Sequence, residues 1–503
     1  MATYYVSTSG SNGNTGLDTS HPWQTLQYAE QHATSAGDII ALKRGDIWST
    51  TTALGINHGG SSGNPITWDG DLWGTGDKAT IAASGDHPDP DGMGNGGAAM
   101  VCVTDTAYVT FQNVIFDGNN NYCYGFVVGG DPSMTSTGVD QSLEDNIILQ
   151  DCDFRDIGGS SDYCIAILCK TWFDGMSNLT IQRNTIDGVG SWGIAIYNSK
   201  EEDWTGPGPY PGNMETTNVY VGYNTVTNCE KANFDLGVCI GCSLWITGIV
   251  MEYNTITQGA SGHPVAGIGI SGWNGVYPTG VHVRYNSIQM TDCQAIVIEN
   301  GGPIEATIYY NKCYSGTTSS GGGTFWAFYP TMSMTGADIK IYNNTFVANN
   351  CHGFVNDVPS GYGTIFTVKN NIFICTATSG YTALYTGSPI THSNNCFWRT
   401  ATGSPVFVNN NGSYYYESTI TSYEATAIGE DPLLVNRAGF NYHLSSGSPC
   451  RDEGANLGLT QDFDGYVVPY NSVPDIGAFE YGAGPPEEEN VGYSVIITGA
   501  DVI

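Results

Sequence analysis

A short pattern recurs along most of this chain: an apolar strand-like run, an Asn or Asp, then a second short apolar run. It reads Phe111-Gln112-Asn113-Val114-Ile115-Phe116 early on, Ile181-Gln182-Arg183-Asn184-Thr185-Ile186 further along and Ile341-Tyr342-Asn343-Asn344-Thr345-Phe346 later still. The markers are Asn113, Asp151, Asn184, Asn224, Asn254, Asn286, Asn311, Asn344, Asn371 and Asn395. Successive markers lie between 24 residues apart (Asn371 to Asn395) and 40 apart (Asn184 to Asn224). Self-similarity at such a period means a solenoid, whose units bury their apolar faces only against their neighbours. The runs are rich in Val, Ile, Thr, Tyr and Phe and bounded by Asn and Gly, so the repeating unit is built of β-strands. Stacked coils bring equivalent Asn side chains into register, where their amides bond up and down a ladder. The Asn column is therefore expected to be structural rather than catalytic.

Composition narrows the partners. The chain has 503 residues, with 15 Lys and Arg against 48 Asp and Glu, a net charge of −33. So few cations argue against nucleic acid, which is bound by displacing counterions from phosphates, and against an anionic membrane surface. No apolar run approaches the roughly 20 residues that cross a bilayer. The start, Met1-Ala2-Thr3-Tyr4-Tyr5-Val6, shows no signal peptide. The 14 cysteines fall in strand-like runs from Cys102 to Cys450 and read as buried thiols rather than a disulfide framework. Cys239-Ile240-Gly241-Cys242 is the sole CxxC, and strand alternation predicts that its two thiols face opposite ways.

Both ends of the chain carry a resemblance. Tyr4-Tyr5-Val6-Ser7, Pro22-Trp23-Gln24-Thr25-Leu26 and Gly63-Asn64-Pro65-Ile66-Thr67 at one end resemble the entry of pectate-lyase-like proteins, and so do Asp431-Pro432-Leu433-Leu434, Asp462-Phe463-Asp464-Gly465 and Pro474-Asp475-Ile476-Gly477-Ala478-Phe479-Glu480-Tyr481 their closing segment. The resemblance implies an all-β right-handed parallel β-helix solenoid with an N-terminal cap and a C-terminal closing segment. Residues 1–100 are expected to hold the cap and first coils, with a short amphipathic helix around Trp23, Leu26, Ala29 and Ala33. Residues 101–400 form the coils, 401–482 the C-terminal coils and cap, and 483–503 an acidic linker and strand-like tail through which the chain is expected to form a homo-oligomer. That superfamily hosts lyases, hydrolases, epimerases, tailspikes and non-catalytic proteins, so the reaction has to be read from the site.

Extra residues after the second strand of each coil, 129–144, 200–216, 271–280 and 330–336, mark the face where loops build a site. Strand alternation predicts Ile165, Ile167, Val238, Ile240, Ile268, Ile270, Ile296 and Ile298 inside. The outward columns then read Ala166, Ala195, Cys239, Gly269, Val297 and Leu168, Tyr197, Gly241, Ser271, Glu299, continued by Tyr329 and Asp357, with small residues leaving a shallow trough. Trp172, Trp204, Tyr210, Trp273, Tyr277, Trp326 and Tyr329 cluster beside it as flat surfaces for sugar rings; Tyr197, Trp204, Trp273, Tyr329 and Trp326 are the predicted substrate-binding residues. The expected partner is a polysaccharide and the expected location extracellular or a virion surface.

Three readings remain. A glycoside hydrolase needs two carboxyl groups across the bond, for which Glu299 and Asp357 are predicted, with Asp235, Glu201 and Asp203 within reach of the trough. A polysaccharide lyase needs a base, from Lys170, Lys200 or Lys231, and often Ca²⁺ to neutralise the substrate carboxylate; no Ca²⁺-loop spacing is recognisable, so no cofactor is assigned beyond Ca²⁺ on this second reading. The third is a glycan-binding fibre without turnover. His263 and His352 begin second strands and read as locally bonded turn residues. No nucleotide-binding, Ser-His-Asp or HExxH signature appears.

Overall fold

Short runs of alternating apolar residues separated by tight turns pair with their equivalents one coil further on, and the result is three long sheets. The structure is a computed structural model; it describes residues 1–88, 98–129, 144–160, 163–172, 175–199, 215–229, 237–258, 266–272, 277–299, 302–316, 322–328, 336–359, 365–401 and 403–482. Sheet A has 13 strands from Thr3–Val6 to Thr391–Ser393, sheet B has 12 from Ile47–Thr50 to Cys396–Arg399, and sheet C has 13 from Leu54–Ile56 to Ser413–Tyr416. Each coil contributes one strand to each sheet, as in Ala107–Gln112, Ile115–Asp117 and Tyr124–Val128. Every pairing along the three sheets is parallel except the last in sheet C, where Val406–Asn410 and Ser413–Tyr416 form a hairpin. The chain is a right-handed parallel β-helix.

Inward columns build one continuous core: Ile240, Ile268, Ile296, Phe325, Phe354, Leu384 and Val408 stack rung on rung in sheet C. Aromatics stack within it, Phe116 on Phe154 at 4.6 Å and Phe325 on Phe354 at 5.0 Å. At the N-terminal end α1 (Leu26–His32) begins at Thr25, whose side chain accepts the Tyr28 amide, and buries Leu26 and Ala29 with Trp23 and Ala33 against the first coils. No helix among the described residues is long and apolar enough to cross a membrane.

The Asn ladder occupies the turn from sheet A to sheet B. From Asn184 through Asn224, Asn254, Asn286, Asn311, Asn344 and Asn371 to Asn395, each Nδ2 donates to the next Oδ1 at 2.9–3.1 Å. Each also donates to a backbone carbonyl of the preceding coil, as Asn311 does to Val283 at 2.8 Å. Two expected markers fall outside it. Asn113 and Asp151 sit one position earlier, at φ 58° and 55°, and Cys152 takes the ladder place, its amide donating to Asn184 Oδ1 at 3.0 Å. The earlier position is left-handed in every one of these turns, and Asn and Asp tolerate that region best, so they mimic the ladder residue in sequence. In the middle coils tyrosines occupy it instead, and Tyr223, Tyr253, Tyr285 and Tyr310 stack outside the helix with rings 4.8, 5.0 and 6.0 Å apart. The ladder ends on Glu424, whose carboxylate accepts Asn395 N at 2.6 Å and Nδ2 at 3.0 Å.

The C-terminal segment both caps the last coil and folds back along the outside. Tyr442, Ile476 and Phe479 pack on Val347, Ile372, Ile374 and Cys396 of the outer face of sheet B. Its backbone also meets the turns, as where Asn370 Nδ2 donates to Ala455 O at 2.8 Å.

Candidate functional site

The insertions noted in the sequence join sheet C to sheet A, so they leave from the C-terminal ends of the sheet C strands. Register there departs from simple alternation in two coils. One outward column reads Leu168, Ala195, Gly241, Gly269, Val297 and Trp326; the next reads Lys170, Tyr197, Ser243, Ser271 and Glu299. Leu168 and Gly241 thus belong to the first column rather than the second, and Ala166 and Cys239 turn into the core. Ile165 and Val238, expected inside, instead join small apolar clusters separate from the main core. The physical reason lies at strand entry, where Ala166 with Ile167, and Cys239 with Ile240, both contact the core as consecutive residues, so alternation starts one residue later than the sequence suggests. For the same reason Cys239 and Cys242 both reach the core instead of facing opposite ways. Burial pushes the Cys242 thiol up to about 12, and all 14 cysteines are buried.

The expected trough is filled in its middle. A Cβ at Gly241 would lie 2.5 Å from Trp192 Cζ3, and one at Gly269 would lie 2.9 Å from Val238 Cγ1. These glycines make room for Trp192 and Val238, a packing role. The polar column beside them is the better candidate. Lys170 Nζ stands 5.9 Å from the Tyr197 ring centre, and the Ser243 and Ser271 hydroxyls are 2.6 Å apart. The strand Val238–Leu244 extends past Cys242, where the apolar run in the sequence ends, and so brings Ser243 into the column.

Glu299 ends this column. Burial alone raises its pKa above the usual carboxylate range, and among the described residues no donor reaches its carboxyl. The next rung is Phe328, and Asp357 follows Asn356, the partner of Ala327; the Asp357 amide donates to Ala327 O at 2.9 Å. Glu299 and Asp357 are therefore two rungs apart, about 10 Å between backbones at about 4.8 Å per rung. Asp357 is exposed and accepts the Trp326 indole N–H at 2.9 Å. Lys170 is four rungs from Glu299, about 19 Å, too far for the two to act on one bond. His352 accepts the Thr382 amide at 2.9 Å, and burial lowers its pKa to about 4.

Asp235, Trp204, Trp273 and Tyr329 lie outside the described residues, as do Lys200, Glu201, Asp203, Tyr210, Lys231 and His263; Trp172 is in a strand, but its side chain is not described. Among the described residues no three His, Cys, Asp or Glu side chains converge as a metal site, so no step is assigned to Ca²⁺.

The three parallel sheets and the internal Asn ladder define a right-handed parallel β-helix. Among solved structures, the chain is similar to the GH136 lacto-N-biosidase from Eubacterium ramulus, with 18% identity and a TM-score of 0.53 over 75% of this chain and 64% of that one. It is also similar to pectate lyase Pel9A, with 14% identity and a TM-score of 0.41 over 95% and 96% of the two chains. The PL6 family alginate lyase AlyGC matches with 13% identity and a TM-score of 0.41 over 91% of this chain and 59% of that one. The chain thus spans less than two thirds of the lacto-N-biosidase length, and these likenesses are of fold. No family model and no curated protein matches the chain.

Proposed function

We propose that this protein binds a polysaccharide along the outer face of sheet C and cleaves it as a glycoside hydrolase, with Glu299 as general acid and Asp357 as the carboxylate that activates water. The observation that carries the reading is the pair itself: a buried carboxyl whose pKa burial raises, two rungs from an exposed aspartate. Backbones about 10 Å apart put carboxyl groups that lean toward each other near the 6.5–9.5 Å characteristic of inversion. A carboxyl whose pKa burial raises suits the role of general acid. Tyr197, Ser243 and Ser271 supply hydroxyls along the path of the chain, and Trp326 supplies a ring at the Asp357 end. The GH136 lacto-N-biosidase shares the fold, in keeping with a glycan ligand.

Lys170 beside Tyr197 favours the alternative reading, a lyase whose base sits at the other end of the column. A panel of neutral and uronic-acid polysaccharides, read for new reducing ends and for ultraviolet absorbance of unsaturated uronates, separates the two. Reducing ends without absorbance, lost in Glu299→Gln, are the expected result. Absorbance that survives Glu299→Gln and disappears in Lys170→Ala overturns the hydrolase. Binding without either signal leaves the glycan-binding fibre.

A further inference from the structure

On the outside of sheet B, where the returning C-terminal segment meets the coils, there is a cavity of about 450 Å³. Its floor is the outward column of sheet B, Gln289 and Tyr314, and its wall is Phe440 and Tyr442. Arg437 and Asn349 also line it. The volume is in the range of small-ligand sites.

Three observations point to what it holds. The Arg437 guanidinium makes no ion pair or hydrogen bond among the described residues, in a chain whose net charge is −33. Its guanidinium is a planar fork suited to a carboxylate. The Tyr442 hydroxyl is buried, on a residue 1% exposed, and has no hydrogen-bond partner among the described residues. Such a group costs free energy unless something in the cavity bonds it. A second basic group, Lys312, lies 4.4 Å from the Phe440 ring centre; burial lowers its pKa, and the Asp464 carboxylate, held by His443 Nε2 at 2.6 Å, opposes that shift. Tyr314 and Phe440 bring aromatic rings to the lining, and Gln289 and Asn349 bring amides, the combination that recognises a sugar by its CH face and its hydroxyls.

We infer that this cavity is a binding site for a carboxylate-bearing sugar, with the carboxylate on Arg437, the ring against Tyr314 and Phe440, and a hydroxyl on Tyr442. It is separate from the polar column of sheet C and does not depend on the reaction proposed there. It would hold an acidic branch or a neighbouring stretch of an anionic glycan.

The test is titration of the full chain with methyl β-D-glucuronide and methyl β-D-glucoside, by calorimetry and saturation-transfer NMR. The glucuronide is expected to bind at least about tenfold tighter than the glucoside, the worth of a hydrogen-bonded charge pair. Arg437→Gln is expected to abolish that preference with an unchanged melting temperature, because Arg437 holds nothing else in place. Tyr314→Ala weakens both probes, and Glu299→Gln weakens neither. Equal affinity for the two probes, no binding of either, a preference retained in Arg437→Gln, or binding lost in Glu299→Gln overturns the inference.

Discussion

Asn311 sits in the middle of the ladder with its side chain 0% exposed. Its Nδ2 donates to Val283 O at 2.8 Å, Tyr309 O at 3.2 Å and Asn344 Oδ1 at 2.9 Å; its Oδ1 accepts Asn286 N and Nδ2, both at 3.0 Å. Asn311→Ala removes all five. The Asn286 side chain keeps its bonds to Met251 O and Arg284 O, and Asn344 Oδ1 keeps the Asn311 amide, so those groups are spared. The Asn286 backbone N–H is left buried without an acceptor, at about 1–3 kcal/mol, and two or three net hydrogen bonds of about 1 kcal/mol each are lost. The sum is about 4 kcal/mol. Asn113→Gly is the matched control: Asn113 lies outside the ladder, bonds Asp69 Oδ1 at 3.1 Å, and at φ 58° glycine fits its backbone without strain, so the cost stays below about 1 kcal/mol. Urea unfolding followed by tryptophan fluorescence gives the difference, and native-state hydrogen exchange reads the Asn286 amide directly. If Asn311→Ala and Asn113→Gly agree within about 1 kcal/mol, or Asn286 stays protected, the ladder is not what holds the turns.

Glu299→Gln and Asp357→Asn are each expected to lower kcat on the substrate found by the glycan panel by 10²–10⁴-fold or so, the usual worth of an acid or base, with melting temperature unchanged. Because the Glu299 pKa is raised, the alkaline limb of the wild-type rate profile is expected above the ordinary carboxylate range, and Glu299→Gln abolishes that limb; a limb retained in the variant assigns the acid elsewhere. In the closing segment, burial raises Glu480 to about 7 and Asp462 to about 6. A raised acid binds its proton more tightly folded than unfolded, so its stabilisation is full below about pH 4 and is lost as pH rises toward 7. At about 1.4 kcal/mol per unit, and allowing for residual solvation, Glu480 contributes on the order of 2 kcal/mol to this slope. Urea unfolding at pH 5 and pH 7.5 is expected to show a smaller loss in Glu480→Gln than in wild type; equal losses refute it. The cysteines are expected to resist Ellman's reagent in the native state and to react on unfolding, because burial keeps thiols such as Cys152, pushed up to about 12, protonated.

Fold and site were legible to different depths. The recurring Asn and the period-2 apolar runs carry the β-helix coil, because it is specified by contacts between equivalent positions of adjacent coils, and equivalence shows as repetition. Glu299 and Asp357 were placed two coils apart on the same basis. The errors were all shifts of one or two residues. Asn113 and Asp151 occupy a left-handed position that favours the same residue types as the ladder, and Ile165, Val238 and Cys239 lie where a turn delays alternation. A period of two turns such a shift into a change of face, so only coordinates settle which side chain points where.

What the amino-acid sequence determined alone is therefore the repeat and its chemistry: a parallel β-helix, a structural Asn column, buried thiols and a net charge of −33. What tertiary structure decided is proximity between parts that share no repeat. The closing segment returns across sheet B to leave Arg437 and Tyr442 over Tyr314, Trp192 covers Gly241, and Glu424 ends the ladder that begins at Asn184. Contacts within a repeat recur and leave a periodic trace. Contacts made once, between a coil and a distant segment, leave none, and in this protein they shape the cavity and the outer faces where ligands would bind.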